Sequence, residues 1–153
     1  MGRRHPTHKK PGQKDIPSSH LRIIGGQWRG RKLEFHAVEG LRPTPDRVRE
    51  TLFNWMQTIV PGAQCLDLFS GSGALGLEAL SRGASSMTFI DMNTITTRKL
   101  KDNLQQLKCQ QAEVIQADVL EWLKQRKTDL EPQFDVVFMD PPFHQGLVAP
   151  CCA

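Results

Sequence analysis

Asp140-Pro141-Pro142-Phe143 follows directly on an apolar run, Phe134–Met139, and joins a carboxylate, the carbonyls of two prolines and an aromatic face in one tetrapeptide. An amino group conjugated to a purine or pyrimidine ring is a poor nucleophile, because its lone pair is delocalised. A carboxylate and a nearby backbone carbonyl can accept its two N–H bonds, hold the nitrogen nearer to tetrahedral and direct its lone pair at an electrophile. Proline rings fix φ and keep such carbonyls from rotating. Phe143 offers a face on which an extracted base can stack. Asp140 is placed to stabilise the positive charge that builds on nitrogen during transfer. The plainer reading of the tetrapeptide is a structural turn that closes a strand.

Earlier in the chain, Asp67-Leu-Phe-Ser-Gly71-Ser-Gly73-Ala-Leu-Gly76 carries G-x-G-x-x-G between a strand pattern and a helix pattern. Glycines there permit a tight turn and leave room for a ligand against the main chain. Asp91 lies twenty residues after Gly71, at the end of the next strand, where a carboxylate accepts hydrogen bonds from both ribose hydroxyls of a nucleoside. A nicotinamide dinucleotide would be served nearly as well. Asp67 tilts the reading toward S-adenosylmethionine, since a carboxylate there can orient a loop or meet a cationic amino group but would repel a pyrophosphate. Asp118 falls after the third strand, where an adenine amino group is expected, and would serve equally as a helix cap. Asp67, Phe69, Gly71, Gly73, Gly76, Asp91 and Asp118 are the expected cofactor-binding residues.

These groups need a scaffold, and the patterning supplies one. Strands are expected at Cys65–Phe69, Met87–Ile90, Glu113–Gln116 and Phe134–Met139. Helices are expected at Leu75–Arg82, Thr97–Leu107 and Val119–Gln125, with Gly83 ending the first. Alternation of short apolar strands with helices implies an α/β fold with an open, mostly parallel sheet wound on both faces. Ahead of it, residues 21–35 read as a hairpin about a Gly25–Gly26 turn, with Trp28 projecting among arginines. Arg42-Pro43-Thr44-Pro45-Asp46 is a rigid loop. From it Thr44 or Asp46 can cap a helix to about Thr58, with Val48, Leu52, Phe53 and Met56 on its buried face. The expected organisation is a disordered basic arm over 1–20, an extension over 21–62 and the sheet domain over 63–153.

The 153 residues suit one core, and 39% hydrophobic with 24% charged residues suits a soluble globular protein. No apolar run spans a bilayer and no secretory signal is visible, so a cytoplasmic location is expected. Residues 1–32 hold nine Lys/Arg against Asp15 alone, a net of +8 in a chain whose total is +4, which points to a polyanionic partner. His5, His8 and His20 have no carboxylate or cysteine beside them, and no metal is expected. The cysteines (Cys65, Cys109, Cys151, Cys152) lack C-x-x-C spacing and are expected as free thiols.

In Arg22–Leu33 (RIIGGQWRGRKL), Leu41–Trp55 (LRPTPDRVRETLFNW), Leu66–Arg82 (LDLFSGSGALGLEALSR) and Asp140–Phe143 (DPPF), the chain resembles the RsmD family of bacterial 16S rRNA guanine-N2 methyltransferases. The resemblance covers roughly residues 21–147. It implies a Rossmann-like methyltransferase domain with a small RNA-contacting extension, S-adenosylmethionine as cofactor, and a guanine of 16S rRNA in the small subunit or an assembly intermediate as substrate. A monomer is expected. Carried over, Gly71, Gly73 and Gly76 would hold the methionine part, Asp91 the ribose (relatives often have glutamate), and Asp118 would sit by the adenine. Asp140, Pro141, Pro142 and Phe143 would position and stack the guanine. Arg22, Trp28, Arg29, Arg31, Arg42, Arg47 and Arg49 would meet RNA. Relatives continue well past DPPF, whereas this chain stops ten residues after Phe143, which reads as a sheet truncated after its fourth strand with Phe134–Met139 left as an edge. Two other readings stand beside this one: an NAD-dependent oxidoreductase, and an RNA-binding remnant without turnover. A DNA amino-methyltransferase is close in mechanism and is opposed only by the shared segments.

Overall fold

The computed structural model describes residues 18–36, 44–126 and 134–141. In chain order the elements are β1 (Ser18–Arg22), β2 (Lys32–His36), α1 (Asp46–Trp55), β3 (Gln64–Leu68), α2 (Ala74–Ser81), β4 (Ser86–Asp91), α3 (Thr94–Gln106), β5 (Ala112–Gln116), α4 (Val119–Arg126) and β6 (Val136–Met139). β3 to β6 form one parallel sheet in the order β5-β4-β3-β6, the α/β arrangement expected from the alternation. Side chains alternate across it. Cys65, Met87, Phe89 and Phe138 face the core shared with α2 and α3, while Leu66, Leu68 and Ile90 pack on Val119 and Trp122 of α4. Among the described residues β6 pairs only with β3, and Val137 on it is half exposed.

α3 begins three residues before the expected Thr97. The β-branched run Thr94-Ile95-Thr96 is a weak helix former, but Asn93 Oδ1 accepts the Thr96 N–H at 3.0 Å and starts the helix there.

The hairpin exists, with Leu21 opposite Leu33, but Gly25–Gly26 is not its turn. A nine-residue connection, 23–31, joins β1 to β2 and lies along the end of α2. Ser81 Oγ donates to the Gly25 carbonyl at 2.6 Å, the Gln27 N–H reaches the Ser81 carbonyl at 2.7 Å, and the Ile24 N–H reaches Glu78 Oε1 at 3.0 Å. Gly26 has φ 81°, and a Cβ there would stand 2.0 Å from the Ser81 carbonyl oxygen. The glycine pair is thus a close-approach site between backbones. Trp28 is carried inward with it: its N–H bonds Ser81 Oγ at 2.9 Å and it is 7% exposed, within the core. It does not project among arginines.

α1 is also turned differently from the expectation. Val48 is exposed, and Arg49 and Phe53 are fully buried, with Leu52 and Met56 half-buried. The N-cap is Pro45, without a side-chain cap from Thr44 or Asp46. The reason is that the Arg49 guanidinium has three acceptors within reach: the Arg22 carbonyl at 3.0 Å, the Thr44 carbonyl at 3.2 Å and the Asp46 carboxylate. Leu21, Ile23, Leu33, Phe35 and Phe53 belong to the same core as α2, α3 and one face of the sheet, so the hairpin and α1 share that core with the sheet domain. β1 already begins at Ser18, inside the stretch expected as arm.

Candidate active site

After β3 the chain moves to β4 on one side, and only later returns to place β6 on the other. That reversal is a topological switch point, and ligands of open α/β sheets bind outside the carboxyl ends of the strands there. The glycine loop follows β3, Asp91 ends β4 and Asp140 follows β6, so three separate segments deliver chemistry to one crevice.

The loop is made by three left-handed residues, Phe69 (φ 56°), Gly71 (φ 53°) and Gly73 (φ 81°). For phenylalanine that conformation costs about 1–2 kcal/mol, and such strain is found where backbone is held for a purpose. Gly73 is required by its positive φ and Gly76 by packing. A Cβ at Gly73 would meet Leu100 Cδ1 at 2.6 Å, and one at Gly76 would meet Phe89 Cε1 at 2.3 Å. α2 starts directly after Gly73, which turns its positive end toward the crevice. Ser70 Oγ is buried in this loop with no partner among the described residues.

Asp67 is 2% exposed and accepts the Gly76 N–H at 3.1 Å, so it supports the loop from beneath. Burial pushes its carboxyl up to about 8, against the lowering effect of the Gly76 bond and with added repulsion from Asp140 and Asp91. Asp91 accepts the Gly71 N–H and the Asn93 N–H, each at 2.9 Å. A carboxylate offers about four lone-pair sites, so capacity remains for ribose hydroxyls. Asp118 is exposed and caps α4, its Oδ1 accepting the Glu121 N–H at 3.1 Å. Asp140 is exposed, and its Oδ2 accepts the Thr44 hydroxyl at 3.3 Å. Pro141 is half-buried, while Pro142 and Phe143 lie outside the described residues.

Three residues at the crevice escape the sequence reading. Thr44 touches Asp140 across 96 positions, which no local pattern announces. Ser70 is legible only as the residue between Phe69 and Gly71. Met92 is 67% exposed beside Asp91, and its signal is an apolar residue where a strand gives way to a loop.

Of the arginines expected to meet RNA, Arg22, Arg29, Arg31 and Arg47 are exposed, Arg42 lies outside the described residues, and Arg49 is fully buried. Arg49 and Trp28 are therefore structural here, held by the bonds given above. His20, Arg22 and Lys32 line a cleft on the outer face of the hairpin. Cys65 and Cys109 are free thiols. Among the described residues no cluster of three or more His, Cys, Asp or Glu could hold a metal, and no helix is long and apolar enough to cross a membrane.

The strand order, the glycine loop and the acid at the end of β4 make this a Rossmann-like fold of the kind that S-adenosylmethionine-dependent methyltransferases have. A family model described as "Conserved hypothetical protein 95" matches residues 21–153. The chain is 55% identical over 129 residues to the ribosomal RNA small subunit methyltransferase D of Haemophilus influenzae, covering 83% of this chain and 66% of that protein. It is 51% identical over 143 residues to the protein of the same name from Escherichia coli strain K12, covering 94% of this chain and 67% of the relative. A solved Escherichia coli structure, yhhF, described as a methyltransferase, superposes with a TM-score of 0.77 at 45% identity, covering 87% of this chain and 70% of that one. This chain spans about two thirds of the length of the curated relatives it matches. It belongs to the RsmD family, the ribosomal RNA small subunit methyltransferases D.

Proposed function

We propose that this chain carries the site of an S-adenosylmethionine-dependent transfer of a methyl group to the exocyclic N2 amine of a guanine in 16S rRNA. It would act as a monomer without a metal, in the cytoplasm, on the small ribosomal subunit or an assembly intermediate. The observation that carries the reading is the placement of the glycine loop after β3, Asp91 at the end of β4 and Asp140 after β6, around one switch point, with Asp91 bonded to the loop through the Gly71 N–H. The carboxylates of Asp91 and Asp140 favour a ligand bearing a sulfonium and an ammonium group, and disfavour the pyrophosphate of a nicotinamide dinucleotide.

When bound, S-adenosylmethionine supplies an electrophilic methyl group on a positively charged sulfur. Asp91 accepts the ribose hydroxyls with the lone pairs left beside its Gly71 and Asn93 bonds. Ser70 Oγ and the positive end of α2 would meet the methionine carboxylate. Met92 would offer apolar surface to the adenine, and Asp118, while capping α4, would accept from the adenine amine. Asp140 accepts one N–H of the guanine amine through Oδ1, and a carbonyl of Pro141–Pro142 accepts the other. The Thr44 hydroxyl holds Asp140 Oδ2, which leaves Oδ1 toward the substrate. As charge develops on the amine nitrogen, Asp140 stabilises it until the proton is lost. By the resemblance, Phe143 would stack on the base.

Calorimetric titration of the chain with S-adenosylhomocysteine and, separately, with NAD tests the cofactor side. The proposal expects saturable binding of the first and none of the second. The reverse order would turn the site over to the oxidoreductase reading.

A further inference from the structure

α1 turns an apolar stripe away from the core. Val48 is 53% exposed, Trp55 78%, and Ile59, in the turn after the helix, 55%. Val48 and Trp55 are two turns apart and lie on one side of the helix. Phe53 fills the core side. Among the described residues this indole buries little, and a cluster of exposed apolar groups marks a contact surface. Its surroundings indicate what covers it. At the N-terminal end of α1, Thr44 bonds Asp140. From the inner side of the helix, Arg49 bonds the carbonyl of Arg22, where β1 ends, so the hairpin adjoins α1. The exposed residues of that hairpin include Arg22, Arg29, Arg31 and Lys32 against one acid, Glu34. On α1 itself Arg47 is exposed beside Glu50, and the exposed Asp46 is tied to Arg49. The exposed cations of the adjoining hairpin suit a polyanion, and the open indole on α1 suits the flat apolar rings such a polyanion carries. A second copy of the chain would set cations against cations.

We propose that the outer face of α1 is a platform for an unpaired stretch of the RNA substrate, with Trp55 stacking on a base. Phosphates of the same strand occupy the cleft of His20, Arg22 and Lys32. The assignment rests on the rRNA substrate proposed above and adds where the strand runs. Trp55 stands about 14 Å from Asp46 along the helix at 1.5 Å per residue. The base it meets is therefore several stacked nucleotides from the one at Asp140, at about 3.4 Å each.

Trp28 and Trp122 are buried, so iodide quenching of tryptophan fluorescence in this chain reports mainly on Trp55. The test titrates a short unstructured RNA into wild type and Trp55→Ala, following both fluorescence and mobility, with melting temperature as the folding control. Binding should protect the wild-type indole from iodide. Trp55→Ala should bind about five- to hundredfold more weakly, the range for losing one stacked base, at an unchanged melting temperature. Binding with Trp55 still open to iodide and no loss in the variant would overturn the platform and leave the RNA reading intact. Protection that depends on protein concentration and not on RNA would assign the face to a second copy and overturn the proposal. Absence of any RNA binding would overturn the substrate reading with it.

Discussion

Replacing Arg49 by methionine separates two roles that an arginine in this segment can have. Methionine keeps the unbranched stem that packs in the core but removes the donors to the Arg22 and Thr44 carbonyls and to Asp46. Each part-buried carbonyl left without its donor costs about 1–2 kcal/mol. Asp46 is 65% exposed, so water screens its ion pair and the loss there is below about 1 kcal/mol. The sum is roughly 2–4 kcal/mol, because two carbonyls dominate and the ion pair adds little. For a chain of this size each kcal/mol lowers the melting temperature by about 2–4 °C, so a fall of roughly 5–15 °C is expected. The assay is thermal and urea denaturation of both proteins, with RNA affinity measured well below either melting point. Affinity should stay within about twofold, since a fully buried guanidinium cannot release counterions from phosphates. An unchanged melting temperature with tenfold weaker RNA binding would refute the buried placement and return Arg49 to the RNA-contacting set.

Asp67→Asn tests the buried acid. The folded-state pKa of about 8 lies above the ordinary 3.8, so the folded chain holds a proton that the unfolded chain has lost between those values. Asp67 therefore weakens the fold as pH rises through that window, fully above about 8 and not at all below about 4. The asparagine variant can keep the Gly76 bond through its carbonyl oxygen. It should match wild type at pH 4 and be the more stable at pH 8, with equal pH slopes in the two proteins as the contrary result. Asp91→Asn keeps one acceptor for the loop N–H groups but loses the charge offered to ribose. S-adenosylhomocysteine should bind it about tenfold or more less tightly, as loss of a charged hydrogen bond implies, and calorimetry showing equal affinity would remove Asp91 from the nucleoside site.

The sheet was legible because its strands are short apolar runs with glycine turns between them, and periodicity reports such runs directly. Asp91 and Asp140 were legible because strand ends on one sheet must share an edge. What escaped depends on partners distant in sequence. Gly25–Gly26 looks like a turn to any local reading, and only Ser81, more than fifty positions on, makes it a docking point. Trp28 and Arg49 belong to a basic, aromatic segment whose composition suits RNA, yet both are drawn inward by acceptors and donors on other elements. α1 shows how little separates the alternatives: one residue of rotation exchanges Val48 for Arg49 on the buried side, and three carbonyl or carboxylate acceptors decide it. Asp67 was weighed as a loop support or a ligand for the amino group. Its 2% exposure and its bond to Gly76 favour the first.

The most direct measurement is tritiated-methyl transfer from S-adenosylmethionine to small ribosomal subunits lacking the modification, run with this 153-residue chain beside its Asp140→Ala variant. The account predicts incorporation by wild type, recovered as N2-methylguanosine, and a loss of about 100-fold or more in the variant, the scale of removing one group that stabilises developing charge. Equal incorporation by the two proteins, or label on a different nucleoside, would contradict the role given to Asp140.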